Sequence, residues 1–529
     1  MRIDISTFKG TAPQVAPHLL PDGGATVAKS CELGFGDLRP IHGLSAGDTT
    51  AIAGDIKTLY RYLDSFWFTW LADVDVVRGP VAGDTSGRVY FTGDGVPKFT
   101  YASVATSGSI YPSVDYTLGV PAPATAATLS IAGGTASDDI ADQRDRVYVY
   151  TYSNDFGEES APSPASSIIT VSGTQTVLVG SLDNPPSGSY APFQYKNIYR
   201  TDENGAYRYV ASVDVANSSY TDAIDDAALG AELLTTDWNM PRDDMQGLTF
   251  MPGGTLVGFS GKTVCFSVQN QPHAWPVEGE YVVHDDIVAI GTFGSSVFVA
   301  TTSYPVVLTG ADYSSMSVER LEVSQACLYK RGMVDAGTAI MYPSPEGLTL
   351  VGTSSARVLT EGTVDREQWS ALIEGFRFGV YHDGKYIAFT DTGGFIVSLA
   401  DGSIIDHDIM AVGGYLHEKT GKLYLTKDND STVYEWDAGS AIAYTWRSRE
   451  YQLPLPGNFG LVQVVAEAYP VTVTVYADGE QKAQYSVGSA RALRLPGGFR
   501  ARTWELSLEG TNRVLSAHLA QSAQELQQG

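Results

Sequence analysis

The feature that most constrains the fold of this chain is a theme of strand, turn and strand that recurs between residues 245 and 445. Five segments carry it: GGTLVGFSGKTVCFS, DIVAIGTFGSSVFVATTSYPVVLTG, EGLTLVGTSSARVLT, DGKYIAFTDTGGFIVSLADGSIIDH and TGKLYLTKDNDSTVYEWD. Their spacing is uneven, roughly 30–60 residues, and units near that period are typical of the blades of a β-propeller. A Trp-Asp dipeptide ends only the last of them, so the prediction depends on the strand pattern.

The composition also favours β-structure with many tight turns. The 529 residues include 55 Gly and 30 Tyr; Tyr is frequent in strands and Gly in the tight turns between them. Helical patterns occur only at 365–374 and 514–526. A chain of this length exceeds one ordinary core, so we expect several domains.

We predict an all-β protein: a β-propeller with an inserted fibronectin type III-like sandwich and a terminal β-rich platform domain. The predicted segments are an extended N-terminal arm (1–45), the first propeller strands (46–119), the insertion (120–240), the propeller proper (241–445) and a C-terminal β-domain with a short helix (446–529). The arm has too many apolar residues for a disordered tail. We therefore expect it to pack on another domain or another subunit.

The insertion is predicted from two local patterns. Tyr148, Tyr150 and Tyr152 alternate with Val and Thr, as in a strand with two different faces. Further on, Glu203-Asn204-Gly205 separates two alternating segments, and Asn-Gly at such a position is a strong hairpin signal. Several short strands joined in this way over about 100 residues indicate a fibronectin type III-like sandwich.

Charge and cysteine content exclude several classes of function. The chain has 34 Lys+Arg against 60 Asp+Glu, a net charge of −26, so it does not wrap nucleic acid by neutralising phosphates. Such acidity suits a wall past which DNA slides without binding. Cys31, Cys265 and Cys327 have no disulfide or metal spacing, and we expect buried free thiols. With no leader peptide and no run of 18 apolar residues, we expect a soluble protein made in a reducing cytoplasm.

One loop stands out because it places a histidine beside a tryptophan between two prolines. In KTVCFSVQNQPHAWP (262–276) a strand pattern ends in a polar loop with Pro272, His273, Trp275 and Pro276. A ligand site at His273 and Trp275 is one interpretation. We favour a structural loop, in which Trp275 buries its ring at a blade edge and the prolines prevent strand addition. His273 then packs on Trp275 or meets an adjoining subunit.

Motifs for nucleophilic or metal chemistry are weak. The segment GLSAG (43–47) has the spacing of a nucleophile elbow, but no strand precedes Ser45 and no helix follows it. His273 and His284 are on different predicted elements, and no spacing typical of a metal site is present. We therefore predict no catalytic residue, no metal ligand and no cofactor.

Carboxylates are numerous, but none forms a convincing catalytic pair. Asp285, Asp286 and Asp383 are candidates for the two acids of a propeller glycosidase. Asp383 precedes a glycine and suits a turn, and the Asp285-Asp286 pair opens a strand. SNDFGEES (153–160) matches the sialidase box only in part and lies in the sandwich, so we interpret it as an acidic turn. The acidic cluster at 222–226 lacks EF-hand spacing and is predicted to be solvated.

Several segments resemble, in order, one family of short-tailed bacteriophage proteins. They are FKGTAPQVAPHLLPDGGATVA, FWFTWLADVDVVRGPVAGDTSGRVYFTGDGVPKFT, GGTLVGFSGKTVCFSVQNQPHAWP, DIVAIGTFGSSVFVATTSYPVVLTG, YTWRSREYQLP, AYPVTVTVYADG and LAQSAQEL. The family is the tail nozzle, also called tail tubular protein B or packaged-DNA stabilisation protein. Each match is a string of strand residues, and the order of the matches and the P-H-A-W-P loop carry the resemblance.

The resemblance implies a structural virion protein and not an enzyme. Members of the family form a homohexameric ring below the tail adaptor, conduct genomic DNA without specific binding, and lie near tail fibres or spikes. Two alternatives stay open: a phage receptor-binding or fibre-attachment protein that uses the propeller or the fibronectin-like module, and a propeller glycoside hydrolase.

Overall fold

A computed structural model describes residues 1–81, 83–352 and 355–527. The α-helices in these residues are three short segments: α1 (Ala102–Ala105), α2 (Arg366–Leu372) and α3 (Ala523–Gln527). Four single 3-10 turns in the same residues lie at Ile140–Asp142, Asp226–Ala228, Val277–Gly279 and Lys330–Gly332. None of the helices in the described ranges is long and apolar enough to cross a membrane. The rest of the regular structure is strand.

The strands are numbered along the chain. The first eleven are β1 (Arg2–Ile5), β2 (Ala25–Lys29), β3 (Cys31–Glu32), β4 (Arg39–Pro40), β5 (Ser45–Thr49), β6 (Thr58–Tyr62), β7 (Phe66–Trp70), β8 (Asp75–Arg78), β9 (Val89–Thr92), β10 (Lys98–Thr100) and β11 (Tyr116–Thr117). The next eight are β12 (Thr128–Gly133), β13 (Arg144–Arg146), β14 (Tyr148–Asn154), β15 (Ile169–Val171), β16 (Thr176–Gly180), β17 (Phe193–Thr201), β18 (Tyr207–Asp214) and β19 (Tyr220–Asp222).

The middle of the chain contributes β20 (Gln246–Met251), β21 (Thr255–Ser260), β22 (Thr263–Phe266), β23 (Glu280–Val282), β24 (Ile287–Phe293), β25 (Ser296–Thr301), β26 (Val306–Thr309), β27 (Ser317–Arg320), β28 (Val334–Asp335), β29 (Ile340–Ser344), β30 (Gly347–Val351) and β31 (Ala356–Val358). The remaining strands are β32 (Phe376–His382), β33 (Lys385–Thr390), β34 (Gly393–Ser398), β35 (Ile404–His407), β36 (Gly413–His417), β37 (Lys422–Thr426), β38 (Thr432–Glu435), β39 (Tyr444–Ser448), β40 (Tyr451–Gly457), β41 (Leu461–Ala466), β42 (Val471–Ala477), β43 (Glu480–Val487), β44 (Leu493–Arg494), β45 (Ala501–Gly510) and β46 (Val514–Ala520).

The chain divides into two compact units. Unit 1 comprises residues 1–73, 300–305 and 320–529, and unit 2 comprises residues 74–299 and 306–319. The five segment boundaries drawn from the sequence stay predictions.

Unit 2 contains sheets built from strands that follow one another in the chain. β8–β11 and β20–β23 each form a four-stranded sheet, and β24–β27 form a third. The last residues of β25 and β27 are assigned to unit 1. β20 packs beside β8, where the main-chain N–H of Gly247 donates to Asp75 Oδ2 at 2.8 Å. Gly247 has a φ of +66°, and a Cβ there would lie 2.4 Å from the ring of Phe259, so only glycine fits.

The insertion in unit 2 is a sandwich of small sheets. β12, β16 and β19 form one sheet and β14, β17 and β18 another, with β13 paired to β15. The three tyrosines of β14 point into a common core with Val177 and Val179. The predicted hairpin is confirmed: β17 and β18 flank Gly205, whose φ is +83°. Its turn is held by the Asp202 carboxylate, which accepts the N–H of Asn204 at 2.8 Å.

Unit 1 contains further sheets of the same kind. β28–β31 and β32–β35 are meanders, and β36–β38 are completed by β5, in which Ser45 pairs with Glu435. Four-stranded antiparallel units of this kind are propeller-type blades. In the unit β32–β35, the last strand also continues through β2 into a larger sheet. The predicted all-β fold, with propeller-type blades, an inserted sandwich and a C-terminal β-rich region, is confirmed.

The C-terminal strands form two sheets with N-terminal strands. β1 pairs with β46, and β2 lies between β35 and β39 in a sheet that continues through β45 and β42 to β43. The predicted helix at 365–374 is confirmed as α2, which begins with a capping box at Asp365 and Gln368. The helix predicted over 514–526 is wrong for its first half. Residues 514–520 are β46, because Val514, Ala517 and Leu519 fill a sheet core. Within the predicted segment, only the residues of α3 are helical.

The three cysteines are free and buried, as predicted. Burial raises the pKa of the Cys265 and Cys327 thiols to about 12, so both stay protonated at neutral pH and behave as small apolar groups.

Candidate functional site

The loop after β22 is buried in unit 2. All residues from Pro272 to Pro276 are buried. The main-chain N–H of Trp275 donates to the carbonyl oxygen of Asn239 at 2.8 Å, and its indole Nε1 donates to that of Pro272 at 3.0 Å. Because the two prolines are buried, they shape the interior of the loop and do not face a solvent-exposed strand edge.

Trp275 joins several elements of unit 2 in one apolar cluster. Its ring is 4% exposed and belongs to a cluster with Tyr90 of β9, Leu256 of β21 and Ala191 of the sandwich. Phe156, from the turn after β14, packs on the same cluster. The tryptophan thus lies where a blade, the next blade and the insertion meet.

His273 faces a polar cluster. It is 2% exposed and packs edge to face on Trp238, with ring centroids 5.4 Å apart. The sequence suggested Trp275 or an adjoining subunit as its partner. Neither ring nitrogen has a hydrogen-bond partner among the described residues, and Nδ1 lies 3.9 Å from Glu158 Oε1. Burial lowers the pKa of His273 below its ordinary value, so the ring is neutral at neutral pH.

Glu158 and Arg88 form the centre of this polar cluster. Arg88 Nη1 donates to Glu158 Oε1 at 2.6 Å, and Arg88 Nε donates to Asp84 Oδ2 at 2.6 Å. The guanidinium lies 4.8 Å from the ring centroid of Phe156. Asn154 Nδ2 donates to the second oxygen of Glu158 at 2.8 Å. Arg88 and Glu158 are 7% and 8% exposed, so the pair is removed from bulk water.

We name Asp84, Arg88, Asn154, Glu158 and His273 the buried polar cluster. It connects the start of β9, the turn of the sandwich and the 272–276 loop. A buried ion pair adds little net stability, but removing one partner leaves an uncompensated charge and is strongly destabilising. The cluster therefore specifies how these three segments fit together.

The sequence did not indicate Arg88, Asn154, Glu158 or Trp238. The one local signal was the tight turn at Gly157, whose φ is +73° and which is followed by two acids. Both acids point into the protein. Glu158 accepts the hydrogen bond from Arg88, and Glu159 Oε1 accepts a hydrogen bond of 2.8 Å from the Tyr199 hydroxyl.

The acidic cluster at 222–226 is not fully solvated, contrary to the prediction. Arg200 and Asp222 are both 0% exposed and lie 3.0 Å apart, and Asp222 accepts the Tyr148 hydroxyl at 2.7 Å. Asp226 also pairs with Arg200. The burial of Arg200 in the sandwich draws these acids inward, because a buried guanidinium needs carboxylate partners.

The other candidate residues do not converge on one site. Ser45 begins strand β5, so it is not on a strand-to-helix elbow. His284 is 93% exposed and lies next to Asp285 at 3.2 Å, whereas Asp383 is in a turn with a φ of +48°. Within residues 1–81, 83–352 and 355–527, no group of three or more His, Cys, Asp or Glu residues is arranged to hold a metal ion.

Unit 1 has an open polar pocket of about 430 Å³, lined by Asp55, Lys57, Asp73, Arg331, Arg377, Val412 and Asp428. Its two arginines are held by the protein itself. Arg377 donates to Asp391 at 2.6 Å and to Asp428 at 2.8 Å, and Arg331 Nη1 donates to the carbonyl oxygen of Val412 at 2.9 Å. Arg331 Nε also lies 3.8 Å from Asp73 Oδ1, so each guanidinium already has a carboxylate of the protein as its partner.

No family model and no curated protein matches the chain. Solved structures that match include the WD40 domain of Neurospora crassa Pan2 (8% identity, 58% of this chain and 93% of that chain, TM-score 0.27) and BBS1N in complex with ARL6DN (8%, 76% and 99%, 0.29). Glutaminyl cyclase of Myxococcus xanthus also matches (13%, 36% and 89%, 0.22). At these identities and TM-scores, none of the three carries an argument about function.

Proposed function

We propose that this protein is a structural subunit of a short bacteriophage tail: the nozzle, a ring that conducts and retains DNA and joins the adaptor to the distal tail parts. The observation that carries the proposal is the in-order resemblance of seven segments to that family, with the P-H-A-W-P loop among them. That loop is buried, and its histidine and tryptophan contact only the protein's own interior in the described residues.

The candidate site favours a structural role over a catalytic one. Trp275, His273 and Glu158 are each less than a tenth exposed, so a substrate has no access to them. A buried cluster that fixes an inserted domain on its support suits a tail part that must keep its shape. The proposal therefore gives this loop a structural role, and it includes no catalytic step and no cofactor.

The charge also fits a channel wall. A net charge of −26 repels phosphates, and a surface that repels DNA lets it pass without pausing. The proposed partners are further copies of the chain in a homohexamer, the tail adaptor, and fibre or spike proteins. The proposed location is the phage tail, with assembly in the bacterial cytoplasm.

The test is the number of copies of this chain per virion, measured by quantitative mass spectrometry against the portal protein. Half the portal count is expected for a sixfold ring on the tail axis. A larger count in multiples of three indicates peripheral fibres or spikes and contradicts the nozzle. Absence from the particle rejects a virion role altogether.

A further inference from the structure

Charge is distributed unevenly along this acidic chain. Residues 482–502 hold five Lys and Arg and no Asp or Glu. Residues 209–241 hold six Asp and Glu and no Lys or Arg. We name these the basic segment, which belongs to unit 1, and the acidic segment, which belongs to unit 2.

The basic segment is fixed in place by its main chain and its apolar side chains. The Tyr485 hydroxyl donates to the carbonyl oxygen of Arg494 at 2.7 Å, and Gln463 Nε2 donates to that of Ala490 at 2.7 Å. The ring of Phe499 stacks on Trp504, with centroids 5.8 Å apart. The main chain of the segment is therefore held in place, so binding costs little backbone entropy.

Four arginines of this segment have no carboxylate partner. Arg491, Arg494, Arg500 and Arg502 are exposed, and none has an ion pair with a described residue. Elsewhere in unit 1, Arg447 binds Glu505 through two hydrogen bonds of 2.8 and 3.0 Å. The planar guanidinium fork suits carboxylates, so these four exposed guanidiniums are available to an acidic partner.

The acidic segment offers the complementary charge. Asp214, Asp225 and Asp237 are exposed and have no ion pair among the described residues. Leu234, between them in the chain, is 77% exposed. The predicted insertion that contains most of the segment, residues 120–240, has 16 acidic residues against 5 basic ones.

We propose that the basic segment of one copy docks on the acidic segment of a second copy. Nucleic acid is a poorer partner, because the rest of this chain is strongly negative and repels phosphates. Between two copies the net repulsion is screened over about 8 Å at physiological salt, so contact between opposite charges prevails at short range. The contact is heterologous and therefore propagates into a ring or filament. This proposal rests on the proposed ring and identifies the surfaces through which its copies meet.

Charge reversal in the full chain tests the contact. One variant combines Arg494→Glu with Arg500→Glu, and another combines Asp225→Lys with Asp237→Lys. Wild-type association, measured by sedimentation, should weaken with NaCl, and each variant should associate at least about tenfold more weakly. An equimolar mixture of the two variants should regain association, because each then meets opposite charge on the other.

The matched control combines Arg357→Glu with Arg366→Glu, which removes two exposed arginines outside the basic segment and makes the same change in net charge. Its association should stay within about twofold of wild type. All variants should keep the wild-type melting temperature, because their substitutions lie on the surface.

Three results overturn the proposal: a wild-type chain that stays monomeric up to about 0.5 mM, association that the reversals leave unchanged, or tight binding of short duplex DNA that the arginine reversals abolish. If the contact fails while the virion still holds half the portal count, the ring stands and only the contact surfaces are wrong. If the contact holds but the chain is absent from virions, the tail function fails and the contact stands.

Discussion

Trp446 Nε1 donates a hydrogen bond of 3.0 Å to the carbonyl oxygen of Lys9, which is 437 positions earlier in the chain. The neighbouring Phe8 packs edge to face on the same indole, with centroids 4.9 Å apart. Phe8 is 1% exposed and Trp446 is 0% exposed. The N-terminal residues of unit 1 are therefore part of the core of its C-terminal sheets.

Replacing Phe8 should test how much this packing contributes. We expect Phe8→Ala to lower the free energy of unfolding of unit 1 by about 3–5 kcal/mol, since it leaves a cavity against Trp446. The measurement is urea denaturation followed by tryptophan fluorescence. Leu19→Ala is the control: Leu19 is also in the first 45 residues but is 68% exposed, so its loss should cost less than about 0.5 kcal/mol. Equal effects of the two substitutions would contradict the packing.

Removing Glu158 should destabilise unit 2. We expect Glu158→Ala to cost about 2–3 kcal/mol, because Arg88 keeps Asp84 as a partner while Arg88 and Asn154 each lose a buried hydrogen bond. The control is Glu203→Ala in the same sandwich, where the pair with Arg144 is 3.6 Å long and largely exposed; it should cost less than about 1 kcal/mol. The measurement for both variants is the hydrogen-exchange protection of the main-chain amides of unit 2. The role of the cluster would be disproved if the sandwich amides of Glu158→Ala kept wild-type protection.

Trp275 should behave as a core anchor. We expect Trp275→Ala to cost about 3–5 kcal/mol, because the cavity it leaves touches two sheets and the insertion. Val277, two residues on and 67% exposed, provides Val277→Ala as the control, with an effect under about 0.5 kcal/mol. Differential scanning calorimetry measures both, and unchanged melting of the tryptophan variant would count against a structural loop.

His407 should make unit 1 sensitive to acid. Burial lowers the pKa of this histidine from 6.5 to about 4, while Nε2 is held by the carbonyl oxygen of Ala388 at 3.1 Å. Between pH 6.5 and about 4 the unfolded chain binds a proton that the folded chain does not, so stability present above pH 6.5 falls as the pH is lowered. The loss from this group approaches about 3 kcal/mol.

The measurement is the fall in melting temperature of unit 1 between pH 7 and pH 5. It should be smaller in His407→Gln than in wild type, whereas His284→Gln, at a position 93% exposed, should keep the wild-type fall. An identical fall in wild type and His407→Gln would show that other groups cause the acid sensitivity.

Local patterns in the sequence predicted the features that neighbours in the chain determine. The hairpin at Gly205, the capped helix that begins after Asp365 and the burial of the cysteines follow from turn chemistry, capping and hydrophobicity. The segment 514–520 was misassigned because its apolar residues suit a helix face as well as a strand. Its partners β1 and β41, which decide the matter, are distant in sequence.

The candidate site was predicted only where the loop itself carries the signal. Pro272, His273, Trp275 and Pro276 stand out in the sequence, but Arg88 and Glu158 are ordinary charged residues until folding brings them within 2.6 Å. Likewise, nothing near His273 indicated that its ring would meet Trp238. Pairings between distant segments leave no periodic trace in one sequence.

The pairing of β5 with β38 has a consequence for biosynthesis. Residues 45–49 leave the ribosome long before residues 432–435, their partners in the sheet. The interval between synthesis of a strand and synthesis of its partner is longer still for β1 with β46 and for β2 with β39. Closing such long loops is slow and leaves strand edges open meanwhile. The native partners of β1, β2 and β5 are therefore made only late in translation, so the last part of the chain to be synthesised completes the sheets that the first part begins.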